Sequence, residues 1–374
     1  MGHPVQGMRI VYDAMTQAID QGNPLSNDTI IHLLENLVDD EKIIENKDRF
    51  FKGYRSEDLF RKLYSLLPWV KLITPLGQEQ YPKESKEEYQ IPDYMLTYEV
   101  GERQQTAKVL IEAKLVDADK MSFRLLKNTY GVLNQYAIDN NMHLLFAIFW
   151  RKNMYWTVND ISSFCEKNSE YKISFETAVQ NDISAIFGDY YYIFLESAFR
   201  RTVFSKELDS ESKYLYTSTD GYGVAINDEL SLDKKNWIVL DRLETPVIDS
   251  MFDFKEEILE VTELTTEVIE QFIPKPKPYC IKLSHMLLNY LFKVYLYDKE
   301  MYIRENPIVE DCFHIVDTVR RKLGGVRGYQ IPHDRKQGIQ DLIRTQFGST
   351  HIMKEYDKTP RPKRGNLLVI PHES

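Results

Sequence analysis

Residues 91–116 constrain this 374-residue chain more than any other stretch. The segment opens on Ile91-Pro92-Asp93, runs through an alternating stretch, and closes on Val109-Leu110-Ile111-Glu112-Ala113-Lys114-Leu115-Val116. Aliphatic and β-branched residues dominate the close, which predicts a strand. Alternate residues of a strand share a face. Glu112 and Lys114 therefore project to one side, and Ile111, Ala113 and Leu115 to the other. A Glu and a Lys inside an apolar strand are costly unless they have partners or a task. Asp93 lies across from them if residues 91–100 and 107–116 pair as a hairpin through the polar connection Gly101-Glu102-Arg103-Gln104.

At these residues the chain resembles the PD-(D/E)xK nuclease superfamily, with Pro92-Asp93 as the first half of the motif and Glu112-Ala113-Lys114 as the second. The tripeptide alone carries little, because Glu45-Asn46-Lys47, Glu84-Ser85-Lys86, Glu211-Ser212-Lys213 and Asp253-Phe254-Lys255 share its pattern. Most of those sit in charged, turn-like surroundings. Residues 112–114 differ in context, having an apolar strand, a Pro-Asp strand upstream and a helix downstream. Alternatively, Glu112 and Lys114 form a buried ion pair or an edge-strand charge pair.

The element order around the motif agrees with the resemblance. Residues 54–67 read as a helix stopped by Pro68, and 69–74 as a short strand. The two hairpin strands follow, then a helix over about 122–140. Residues 142–150 are almost wholly apolar, as in a central strand covered on both faces, and 154–158 form a further strand. The expected class is α/β, with the restriction-endonuclease-like αβββαβ core and mixed central sheet that the resemblance implies, plus a helix-rich C-terminal domain.

The resemblance also implies roles. Asp93, Glu112 and Glu57 (with Asp58 as runner-up), together with the Ala113 carbonyl, would hold Mg²⁺, for which Mn²⁺ would substitute. Lys114 would position or deprotonate the attacking water, the more readily with its pKa lowered by burial and the neighbouring cation. Gln135, on the downstream helix, would orient that water or a phosphate oxygen. Glu57 has a second reading as a first-turn acid complementing the helix dipole, with Ser56 as the cap. The implied activity is a Mg²⁺-dependent nuclease, a DNA endonuclease of restriction, defence or repair type acting on double-stranded DNA. An RNA nuclease, or a non-catalytic nucleic-acid-binding protein on the same scaffold, are the alternatives. A homodimer would suit a double-strand cutter.

The net charge of −10 argues against wholesale coating of a polyanion, so contact with nucleic acid would use a local patch. Residues 320–364 hold twelve Lys and Arg against four Asp and Glu, a local charge of +8. That zone suits phosphate contact or docking against the acidic N-terminal part. Arg124 and Lys127 face either phosphates or simply water, and Arg200 and Arg201 are further candidates for backbone contact. Cys165, Cys280 and Cys312 are scattered and odd in number, as in a reducing cytoplasm. No run reaches membrane-span length and the N-terminus lacks a signal-peptide core, so a soluble cytoplasmic protein is expected. Cys312-Phe313-His314 lacks a zinc-site partner half, and no G-x-S-x-G elbow occurs.

The expected organisation is a helical segment at 1–50, the nuclease core at 51–205, an α+β extension at 206–273 with acidic helix-like stretches at 256–270, and a basic C-terminal domain at 279–374. Pro274-Lys275-Pro276-Lys277-Pro278 reads as a semi-rigid linker. Gly324-Gly325-Val326-Arg327-Gly328 reads as a flexible loop without P-loop spacing.

Overall fold

A computed structural model of the chain describes residues 4–38, 40–77, 80, 82–100, 105–206, 224–241, 243–252, 255–273, 279–297, 302–303, 309–330 and 367–369. Four helices come first: α1 (Pro4–Asp20), α2 (Asn27–Leu37), α3 (Glu41–Glu45) and α4 (Lys47–Tyr64). Ser26 caps α2, its hydroxyl accepting the Thr29 amide at 3.2 Å. Met8, Val11, Tyr12, Leu34 and Phe51 join in a small core that fastens α1 and α2 to the start of α4. Helix α4 begins before the residue expected from the sequence and runs through Gly53. Ser56 is therefore no cap; its hydroxyl donates to the Gly53 carbonyl inside the helix. Glu57 sits mid-helix, which removes its reading as a first-turn acid.

The central sheet follows, from β1 (Val70–Pro75), β2 (Tyr94–Val100), β3 (Gln105–Val116), then β4 (Ser122–Leu126), α5 (Lys127–Asp139), β5 (His143–Trp150) and β6 (Tyr155–Asn159). Its order is β1-β2-β3-β5-β6. β3 and β5 run parallel, joined across α5, and the remaining pairs are antiparallel. The fold is thus mixed α/β, with the helix, three strands, helix and two strands in the expected succession. One boundary is corrected. The first five residues expected in the second helix form β4, which pairs with β8 (Glu170–Ser174) beside β7 (Cys165–Lys167) in a small sheet. Tertiary pairing overrides helical periodicity there.

Strand parity divides the core. Val109, Ile111 and Ala113 of β3 pack with Leu59, Phe60 and Leu63 of α4. Leu110 and Val116 pack with Leu133 and Ala137 of α5. Glu112 and Lys114 share the parity of the second set.

The chain continues through α6 (Phe175–Gln180), β9 (Tyr191–Phe194), β10 (Ala198–Ser205), β11 (Val224–Ser231), β12 (Ile238–Val239), α7 (Thr245–Met251), β13 (Lys255–Val261), β14 (Thr265–Phe272) and β15 (Tyr279–Lys282). It ends with α8 (Leu283–Tyr295), β16 (Leu296–Tyr297), β17 (Tyr302–Ile303), α9 (Val309–Lys322), β18 (Val326–Gln330) and β19 (Leu367–Val369). A second sheet has the order β12-β11-β10-β14-β13 and a third β15-β9-β18-β19. The acidic stretch expected to be helix-like is instead the β13–β14 hairpin. Thr266 and Val268 are buried two apart, a period-2 signal that the Glu content masked. Arg200 and Arg201 are spent within the second sheet, on Asp228 and Glu229.

Part of the expected 324–328 loop is strand β18. A Cβ on Gly325 would lie 2.5 Å from the Phe194 ring, so the close approach requires glycine. Pairing of β9 with both β15 and β18 joins α8 and α9 to the central sheet in one hydrophobic cluster from Leu59 to Leu323. Lys282, fully buried, ties the parts together through Asp182 at 2.6 Å and Asp189 at 3.0 Å.

The 101–104 connection, the 274–278 linker and most of the basic zone lie outside the described residues. The basic residues of that zone inside them are paired: Arg320, Arg321 and Arg327 with Asp317, and Lys322 with Glu244. Among the described residues, no helix is long and apolar enough to cross a membrane.

Candidate active site

The pairing of Tyr94 with Ile111 brings Asp93, one residue before β2, opposite Glu112 on β3. An Asp93 oxygen (Oδ2) accepts the Ala113 amide at 2.8 Å, which fixes the carboxyl against the strand. Lys114 Nζ donates to Glu112 Oε1 at 2.5 Å. Glu112 is 1% exposed and the Lys114 side chain 31%, so the pair opens to solvent only at its cationic end. The other Glu112 oxygen, Oε2, is buried without a hydrogen-bond partner among the described residues. Glu57 reaches the same group from α4, close enough that Asp93 and Lys114 both act on its ionisation.

Four of the five expected side chains are therefore brought together. Gln135 is not among them: it is exposed on α5 and donates to Asp139 Oδ1 at 3.0 Å.

Burial sets the charge state of the cluster. Glu112 is pushed up to about 7 by burial first and by Asp93 second, against the pull of Lys114 and a backbone hydrogen bond from Asp93. Asp93 is raised by burial, opposed by Lys114, the Ala113 amide and Arg9. Glu57 is raised well above its ordinary value by burial and by Asp93, opposed by Arg9 and Lys114. For Lys114, burial lowers the pKa, but Glu112, Asp93 and Glu57 outweigh it and the net shift is upward. Burial thus acts on Lys114 in the expected direction, and in the metal-free protein the acids reverse it. Lys114 stands as a cation here, with Glu112 Oε1 at 2.5 Å and the negative charge of Asp93 and Glu57 acting on it from farther off.

A divalent cation fits this donor set. Asp93 and Glu112 supply hard carboxylate oxygens from facing positions of one hairpin. One of those oxygens is buried with no hydrogen-bond partner among the described residues, and burial disfavours their ionised forms. Among the described residues, however, no three His, Cys, Asp or Glu side chains already surround a common point. Glu57 is engaged by a cation from another helix. Its Oε2 accepts from the Arg9 guanidinium at 3.2 Å, and Arg9 also bonds Asp58 at 3.2 Å and Asp13 at 3.0 Å. Sequence reasoning missed Arg9. It sits on α1, 48 residues from Glu57, in an amphipathic helix with no local mark of function.

No family model matches the chain, and no curated protein does. Among solved structures, the chain is similar to the Holliday junction resolvase Hjc of Archaeoglobus fulgidus, an archaeal hyperthermophile. The likeness is 16% identical, covers 37% of this chain and 96% of that one, and has a TM-score of 0.27. At that TM-score it assigns neither family nor function.

Proposed function

We propose that the chain is a Mg²⁺-dependent nuclease that hydrolyses phosphodiester bonds in double-stranded DNA, with Asp93, Glu112, Lys114 and Glu57 as its working residues. The observation that carries this reading is the Asp93–Glu112–Lys114 cluster, in which a buried carboxylate oxygen has no hydrogen-bond partner among the described residues. Glu112 Oε2, Asp93 and, once turned from Arg9, Glu57 would hold the ion, with the Ala113 carbonyl as a further ligand. When bound, Mg²⁺ supplies charge neutralisation on the scissile phosphate and lowers the pKa of a water. Mn²⁺ would serve in its place.

Hydrolysis joins a water oxygen to phosphorus, breaks the bond to one sugar oxygen, and leaves that oxygen to take up a proton. Lys114 carries positive charge at the solvent-facing edge of the cluster. There it would hold a phosphate oxygen or the attacking water and stabilise the negative charge that grows on phosphorus. Asp93, pinned by the Ala113 amide, keeps its place while the charge rearranges.

The test is supercoiled plasmid in Mg²⁺, beside EDTA and a Lys114→Ala variant. Nicking or linearisation that EDTA and Lys114→Ala both abolish supports the nuclease. Plasmid bound but uncut moves the reading to a nucleic-acid-binding protein on a nuclease scaffold.

A further inference from the structure

We infer that Arg9 is a positioning residue for the acid cluster, a built-in counter-cation that holds Glu57 and competes with the divalent ion for it. The inference rests on the proposed metal site. Of the four acidic or basic groups gathered at that site, Glu57 is the one engaged by a cation from another helix. Asp93 is pinned by a backbone amide, and Glu112 by Lys114. Among the described residues, Glu57 bonds a cation outside the motif, and no three-carboxyl group is formed.

The contact is built to be exchanged. Arg9 is anchored by other means: its guanidinium lies over the Tyr12 and Tyr54 rings, 5.4 and 5.0 Å from their centroids. Its bonds to Asp13 and Asp58 use Nε and the second amine, separate from the nitrogen that serves Glu57. Glu57 can therefore leave Arg9 while two of the three ion pairs stay in place. A third of the Arg9 side chain is exposed, so water can take the vacated position.

The fixed positive charge also repels a second cation nearby. Both effects act in one direction: Arg9 raises the concentration of metal needed to fill the site. The N-terminal helix thereby takes part in the site's chemistry as well as in its packing.

Mn²⁺ binding to the full-length protein, followed by calorimetry without DNA, tests this. Arg9→Gln should bind Mn²⁺ about tenfold more tightly than wild type, and Arg9→Lys should fall back toward wild type. In a Glu57→Gln background, Arg9→Gln should have far less effect. Arg9→Met, which keeps the apolar stem over Tyr12 and Tyr54, replaces Arg9→Gln if that variant loses its helical signal. Unchanged or weaker binding by a folded Arg9 variant overturns the role of Arg9 and leaves the metal site standing, provided Glu112→Gln abolishes binding. No Mn²⁺ binding by wild type or by any Arg9 variant overturns the metal site itself and the role of Arg9 with it.

Discussion

Lys114 and Glu112, two residues apart on β3, form a 2.5 Å ion pair that neutralises one oxygen of a buried carboxylate and leaves the other without a partner among the described residues. A strand offers this geometry cheaply, because residues two apart point the same way. The pair is half-built in electrostatic terms. Burial drives Glu112 toward its neutral form, Lys114 draws it back, and Asp93 across the hairpin adds repulsion.

Removing the amine should expose that imbalance. Lys114→Ala leaves Glu112 and Asp93 buried against each other, so cleavage should fall at least about 100-fold. The metal-free variant should also lose about 1–3 kcal/mol of stability. That loss should be larger at pH 8 than at pH 6, since at the lower pH Glu112 can protonate instead. Urea denaturation at both values checks it; an equal loss at both would mean that Lys114 does not govern Glu112.

Glu112 also gives the site a pH dependence of definite sign. A carboxyl raised to about 7 contributes stability that is fully present below its ordinary value and is lost as pH rises through about 7. The metal-free fold should therefore weaken between about pH 4.5 and 7 through this group. Metal binding requires the ionised form. Mn²⁺ affinity should accordingly fall by up to about tenfold per pH unit below 7, with uptake of metal releasing a proton. Calorimetry in two buffers of different ionisation enthalpy reads the proton directly. Affinity that stays flat from pH 8 to pH 5.5 would exclude Glu112 as a ligand.

What the sequence showed and what it hid divide along sequence separation. Asp93, Glu112 and Lys114 sit on one hairpin, so strand parity and a single antiparallel register place them together. The run at 142–150 announced a covered central strand, and it is one. The errors arose where long-range pairing decides. The first five residues expected in the second helix became β4 because β8 offers a ladder. The β13–β14 hairpin hid behind its glutamates. Gly53 hid the true start of α4, since a glycine within a helix reads as a break. Arg9 needed the packing of α1 on α4, which no local pattern encodes.

Gln135 distinguishes what the resemblance implies from what the geometry supports. It is exposed and bonded to Asp139, which also accepts from Tyr89 Oη at 2.7 Å. Gln135→Ala should change the cleavage rate less than about twofold, as expected of a surface helix position. Kinetics beside Lys114→Ala decide the matter. A loss of tenfold or more for Gln135→Ala would mean that α5 shifts toward the site when DNA binds.

Lys282 carries the strongest prediction about stability. Its amine is fully buried and reaches Asp182, Asp189 and the Trp156 carbonyl, joining the end of β15 to β6 and the segment before β9. Both acids have other duties. Asp182 accepts the Val158 and Ser184 amides, and Asp189 the Ser284 amide. Lys282→Met leaves two buried carboxyls without their counter-ion, which should cost about 3–5 kcal/mol. Asparagine can still accept those amides, so Asp182→Asn and Asp189→Asn added to Lys282→Met should recover a good part of the loss. Urea midpoints of the single and triple variants measure it. If the triple variant is no more stable than Lys282→Met, the cost lies in lost packing around the lysine stem, and the buried charges contribute little.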